Sequence, residues 1–210
     1  MERLEDARPV AAKRRLSPTP LTTDKKLVLA ATALLDSGGE DAVTLRAVGR
    51  ASGISHNAPY KHFKSRDALL AAVATADFVR LTKAFKAVRQ SSIKPAAKLM
   101  KALNVVVDFS VEHPARYRLL FNDPAIAAQK GELEKTALGA FAEFVVIVRE
   151  CQAARSLPDI PNTTLAGLLF ATMHGLIALQ ESGRMHPEKG LSGVQSGLKT
   201  LIHLLSPQRT

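Results

Sequence analysis

Apolar residues recur at three- and four-residue steps along most of the chain, the spacing of helices that bury one face. The first such run, Leu27, Ala31, Leu34 and Leu35, predicts a helix from Lys25 to about Ser37, capped by Asp24 and stopped at Gly38-Gly39. Thr44 then caps a short helix with Leu45, Val48 and Ala51 facing inward, Gly53 makes a tight turn, and Ser55 caps the next helix. Leu70, Val73, Leu81, Phe85 and Val88 predict a long helix from Arg66 to the region of Gln90, long enough to join two modules. Further helices are expected at about 95–112, 114–121, 132–154, 163–182 and 190–205, with Pro114, Pro158 and Pro161 as punctuation. In the last, Leu191, Val194, Leu198, Leu201 and Leu205 share a face. Two β-branched runs, 105–107 and 144–148, have strand propensity but sit inside longer helical patterns without flanking turn residues, so both are assigned to helix.

The expected fold is therefore all-α, in three parts. Residues 1–24 carry Pro9, Pro18 and Pro20 among Lys13, Arg14 and Arg15, have no hydrophobic period, and form an N-terminal arm. Residues 25–70 form a three-helix unit, and residues 71–210 a larger helical domain. Aromatics make up 5% of the chain and Trp is absent, which suits aliphatic helix packing.

Charge sharpens this picture. A formal net charge of +10 favours a polyanionic partner, because cationic surfaces gain affinity by displacing counterions from phosphates. The single cysteine, Cys151, has no intrachain partner, and residues 1–20 are charged rather than apolar, so a cytoplasmic protein is expected. The stretch from Ile160 to Gln180 is uncharged, but its polar residues leave about fifteen apolar-rich positions against the roughly twenty a bilayer needs. It is expected to be a buried helix.

Between Ala42 and Arg66 there is no acidic residue, yet the segment holds Arg46, Arg50, Lys61, Lys64 and Arg66 with His56 and His62. Leu45, Val48, Ala51, Ile54 and Phe63 supply apolar contacts for two short helices around Ser52-Gly53-Ile54-Ser55, the form of a helix-turn-helix. The second helix keeps a polar face of Ser55, His56, Asn57, Tyr60, Lys61, His62 and Lys64. Base edges in the major groove are read by side-chain hydrogen bonds, whereas cations and hydroxyls fix a helix on phosphates. Asn57 and His56, near the helix start, are the candidates for reading bases; Thr44, Tyr60, His62 and Lys64 are better placed for the backbone, and Arg46 and Lys61 complete the set.

The string from Thr44 to Leu70, TLRAVGRASGISHNAPYKHFKSRDALL, resembles the DNA-binding domain of TetR-type repressors, and the likeness extends over about residues 25–75. The resemblance implies that Tyr60, His62 and Lys64 touch the phosphate backbone and that Phe63 anchors the recognition helix. Pro59 stands where the family more often has an aliphatic residue, implying a slightly different path at mid-helix. His113-Pro-Ala-Arg-Tyr-Arg-Leu-Leu-Phe121 and Met173-His-Gly-Leu-Ile-Ala-Leu179 are similar to the subgroup with a Trp-His-Gly signature, with Met173 in place of the Trp.

The family resemblance further implies a homodimer on double-stranded operator DNA, formed by the helices near 163–182 and 190–205. The thin polar coverage of the first of these helices agrees, and Gly167 and Gly175 permit close approach. A small-molecule effector pocket is expected inside 95–182, with Asn104, Asp108, Tyr117, Cys151 and His174 as its polar candidates. Such an effector must favour the conformation whose recognition helices are wrongly spaced, and the helix beginning near Arg66 is the natural lever. No Gly-x-Ser-x-Gly, glycine-rich phosphate loop or His-Glu-x-x-His occurs, and neither a catalytic set, a metal cluster nor a cofactor is expected. A constitutive architectural DNA-binding protein shares every N-terminal feature; an internal cavity beyond residue 90 would separate it from an effector-controlled one.

Overall fold

The computed structural model describes residues 21–55 and 57–207, so residues 1–20 of the expected arm, and His56, lie outside the described residues. Among the described residues the chain is all-helical. Helix α1 spans Thr23–Ala42, two residues earlier than predicted, because Thr22 rather than Asp24 takes the cap position and Asp24 sits in the first turn. Gly39 adopts φ 69°, a left-handed backbone that a side chain would strain, and it kinks the helix where the glycine pair was expected to stop it. Helix α2 spans Leu45–Ala51 and begins as expected: Thr44 Oγ1 accepts the Ala47 N–H at 3.1 Å. Val48 and Gly49 are its buried residues; Ala51, expected to face inward, is exposed. Gly53, at φ 65°, turns the chain.

Helix α3 is shorter than predicted, spanning only Ala58–His62. Ser55 does not cap it directly: Ser55 Oγ accepts the Asn57 N–H at 3.4 Å, and Asn57 occupies the cap position. The reason is Pro59. It lies in the first turn of α3, where a missing N–H costs nothing, instead of at mid-helix as expected. Helix α4 then runs Arg66–Gln90, with Ser65 Oγ accepting the Ala68 N–H at 3.1 Å and every predicted apolar position buried.

The remaining elements are α5 (Pro95–Glu112), α6 (Pro114–Phe121), α7 (Pro124–Ala127), α8 (Glu132–Ala153), α9 (Asn162–Glu181) and α10 (Val194–Leu205). Both β-branched runs are helical, inside α5 and α8. The single turn α7 was not predicted; Asp123 creates it by accepting the Ala125 and Ile126 N–H groups. The last helix starts four residues late, because a 3₁₀ turn at Pro187–Lys189 and a left-handed Gly190 precede it. Leu191 is therefore outside α10. Helix α9 is long and apolar enough to meet the length and composition of a membrane span, contrary to the shorter apolar count taken from the sequence. Leu165, Ala166, Leu169, Met173, Leu176 and Ile177 nonetheless face the protein interior.

α4 is the axis of the molecule. It packs against α1, α5, α6 and α7, and its most extensive contact is with α8. α5 and α9 close the other side of that bundle, and α10 lies on α9 and α5. Where the two halves meet, Asp77 of α4 is buried and accepts two hydrogen bonds from Arg116 of α6, one from Nε at 2.8 Å and one from an ηN. Arg116 also donates to Asp36 of α1 at 3.2 Å, and its guanidinium lies 5.3 Å from the Phe109 ring centroid. Burial opposes the charge on Arg116, but hydrogen bonding and the charge of Asp77, and then of Asp36, outweigh it and hold the guanidinium above its usual pKa.

Removing one partner of a buried ion pair leaves the other charge uncompensated, so Asp77→Ala lowers the unfolding free energy by about 3 to 5 kcal/mol. Asp36 is about one-third exposed, and Asp36→Ala costs roughly 1 kcal/mol or less. Urea denaturation of the two variants measures the difference; equal losses would contradict the placement of the network's energy at Asp77.

Candidate DNA-reading face and aromatic core

Two clusters of chemically active side chains stand out, one beside the start of α4 and one beside its middle. The first lies on α2 and α3. Ala58 and Pro59 are buried on the inner side of α3, and Phe63, just beyond it, packs partly buried against the core with Leu45 and Ile54. This orientation leaves Thr44, Arg46, Ser55, Asn57, Tyr60, Lys61, His62 and Lys64 all exposed. Tyr60 shows 58% of its surface to solvent, which a tyrosine packed against the core edge would not.

The fold also alters the patch that the sequence suggested. Arg66, counted among its cations, is turned inward: Nε donates to the Val43 carbonyl at 2.9 Å and an ηN donates to the Glu40 carbonyl at 2.6 Å. It fastens the start of α4 to the end of α1 and the lead-in to α2. Conversely, Asp24 enters the neighbourhood of an apparently acid-free segment. A hydrogen bond from Thr22 is the chief cause holding its carboxyl below the usual value, with the charge of His62 also contributing.

The second cluster surrounds His174 on α9. Its Nδ1 lies 2.6 Å from the Tyr117 hydroxyl on α6. The rings of Phe170 and Phe121 approach to 4.2 and 4.5 Å between centroids, and Phe141 stacks edge-on against Phe170 at 5.6 Å. Burial pushes the His174 pKa down to about 4, so the ring is neutral at neutral pH. The Tyr117 phenol is raised, by burial first and then by the charge of Glu181, and stays protonated. Beside these rings lies a small cavity of about 30 Å³, lined by Phe78, Leu81, Phe85, Val106, Phe121, Ala137, Ala140, Phe141, Phe144 and Phe170.

Of the five core candidates from the sequence, only Tyr117 and His174 are shown in contact with each other. Cys151 is buried at another point of the α5–α8 contact, where its thiol donates to the Pro95 carbonyl. Burial, then the charge of Glu150, pushes that thiol up to about 11, which leaves it unreactive. Asp108 is exposed and lines a surface groove with Glu112, Gln180 and Gln195. Asn104 Oδ1 is buried, and like His174 Nε2 it has no hydrogen-bond partner among the described residues. The phenylalanine cage itself was missed by sequence reasoning, which named Phe121 only as the end of the 113–121 string and did not single out Phe141 or Phe170.

Comparison with known proteins places these features. Residues 27–73 match the family of bacterial regulatory proteins known as tetR, and residues 99–197 match the tetracyclin repressor-like C-terminal domain. An HTH-type transcriptional repressor of Mycobacterium tuberculosis is 32% identical over 145 residues, covering 69% of this chain and 75% of that protein. Among solved structures, a protein of unknown function from Rhodococcus sp. RHA1 superposes with a TM-score of 0.74 at 26% identity, covering 90% of this chain and 98% of its own. A putative TetR-family transcriptional regulator from Rhodococcus sp. has a TM-score of 0.65 at 19% identity, covering 89% of this chain and all of the other, and supports the fold alone. With the two domain matches in register with the helix-turn-helix and the helical body, the chain belongs to the tetR family of bacterial transcriptional regulators and carries its DNA-binding helix-turn-helix.

Proposed function

We propose that the chain is a cytoplasmic repressor that binds a palindromic operator as a homodimer and is released when a small molecule enters the aromatic core. The observation that carries the operator reading is the exposed face of α2 and α3, where Arg46, Lys61 and Lys64 stand with the hydrogen-bonding side chains of Asn57, Tyr60 and His62. That mixture suits a helix seated in the major groove: the cations and Tyr60 hold phosphates, and Asn57 addresses base edges. Repression is inferred from the M. tuberculosis relative, which is named a repressor.

Dimerisation through α9 and α10 is supported by what those helices leave uncovered. Leu168 is 58% exposed on α9 and Leu204 is 71% exposed on α10. A side chain added at Gly167 or Gly175 would meet nothing within 4 Å in this chain, so a second copy has room to approach there. A two-fold dimer sets its recognition helices one DNA turn apart, about 34 to 36 Å, and so requires a palindrome.

The effector step rests on Tyr117 and His174 beside the phenylalanine cage, joined to the reading face by α4. One observation favours a second reading, a constitutive DNA-binding protein: the cavity among the phenylalanines, at about 30 Å³, has no room for an effector until the rings move.

Selection of bound duplexes from a random pool should enrich a palindrome with half-sites about one turn apart. Absence of enrichment, with only weak salt-sensitive binding, would favour the constitutive reading. On the enriched duplex, Lys64→Ala and Tyr60→Phe should weaken binding to all sequences alike. Asn57→Ala should relax the preference at one or two base pairs, at roughly 1 to 3 kcal/mol each. Unchanged affinity and preference in all three variants would exclude α3 as the reading element.

A further inference from the structure

Where α8 ends and α9 begins, beside Pro207 just after α10, an open cleft of about 920 Å³ shares no lining residue with the cavity among the phenylalanines. We infer that this cleft binds an organic acid, a carboxylate with an apolar body, whose oxygens are held by Arg149 and Arg155. The inference is independent of any effector in the aromatic core.

The cations come first. Arg149, in the last turns of α8, and Arg155, just beyond its end, both line the cleft. Both are exposed, and neither is in an ion pair among the described residues. A guanidinium presents its donors as a planar fork that matches the two oxygens of a carboxylate. Arg155 is also the one non-glycine residue at positive φ among the described residues, at 52°. The end of α8 accounts for that backbone. Arg155 N–H donates to the Gln152 carbonyl at 2.8 Å and Ser156 N–H to the Cys151 carbonyl at 2.9 Å, the paired bonds that close a helix through a left-handed residue, most often glycine. The fold needs only the left-handed turn, which glycine supplies without strain. The arginine side chain is additional to that need, and strain of this kind gathers at ligand sites.

The walls are set before any ligand arrives. Gln152 Nε2 donates to the carbonyls of Pro158 and Ile160, each at 2.8 Å, and the two prolines at 158 and 161 restrict the same loop. Leu157 is buried at 4% exposure and, with Ile160 and Pro207, gives the cleft an apolar side. Asn162, at the start of α9, adds a neutral amide. Asp159 is the one acid among the lining residues, so the two guanidiniums leave a single positive charge in excess. That balance suits one carboxylate better than a polyphosphate, and the apolar side suits an organic one.

Isothermal titration calorimetry of the full chain with 4-phenylbutyrate, 4-phenylbutanamide and acetate tests the assignment. The first two differ in charge, and the first and third in the apolar body. Phenylbutyrate should bind at least about tenfold more tightly than either, the contribution of a charge-assisted hydrogen bond. The double variant Arg149→Gln, Arg155→Gln should lose the preference for acid over amide. Arg155→Gly should weaken phenylbutyrate binding while leaving the melting temperature unchanged or raised, because glycine takes the left-handed turn at no steric cost. Lys64→Ala, on the DNA-reading face, should bind phenylbutyrate as the parent does. Equal binding of acid and amide, acetate binding as tight as that of phenylbutyrate, or binding of none of the three overturns the assignment. So does a lowered melting temperature in Arg155→Gly, which would make the arginine part of the fold. Acid binding that survives in the double variant, or is lost in Lys64→Ala, overturns it by placing the acid elsewhere on the protein.

Discussion

The Arg116 guanidinium, held between Asp77 and Asp36, is the constraint on which the relation between the two ends of the molecule depends. It is 4% exposed and satisfied by carboxylates from two different helices, so α1, α4 and α6 cannot separate without stranding a buried charge. The next residue on α6 is Tyr117, about 100° further round the helix, and it points at His174 in the aromatic core. Two consecutive residues of an eight-residue helix thus touch the DNA-binding unit on one side and the core on the other. Any ring movement that displaces Tyr117 acts on the element that also carries Arg116, and through it on α1 and α4.

The reading head is equally dependent on its surroundings. A five-residue helix has no independent stability, since nucleation is unfavourable and few internal hydrogen bonds follow it. α3 is placed by burial of Ala58 and Pro59, by Phe63 packed behind it, and by the turn at Gly53. Arg66 completes the frame, because its two hydrogen bonds to the Val43 and Glu40 carbonyls fix the start of α4 relative to α1. The exposed polar face is thus presented by an element whose geometry is imposed from behind.

Much of this was legible from periodicity. The α4, α5 and α6 boundaries follow from the apolar steps and prolines, and the Thr44 cap forms as its residue type demands. The errors share a cause: local signals were read without knowing which backbone groups neighbouring segments would satisfy. Ser55 looked like a cap, but Pro59 delays the helix until Ala58. Ala51 fell on the apolar face of α2, yet the fold puts nothing against it. Arg66 counted as a free cation because the carbonyls it binds lie 23 and 26 residues earlier in the chain. In the core, Tyr117 and His174 were chosen as polar residues in apolar helices, and the fold pairs them across 57 positions. No sequence pattern announced that partnership or the phenylalanines around it, because they come from α4, α6, α8 and α9 and meet only after the bundle closes.

Chemical footprinting of the protein on its selected duplex tests most directly whether this face reads DNA as the fold suggests. Two α3 helices related by a two-fold axis should shield guanine N7 in two major-groove patches, on one face of the duplex and about one turn apart, with backbone protection flanking each patch. Protection confined to the minor groove, or spread evenly along the duplex without a two-fold pattern, would contradict a dimer reading its operator through α3.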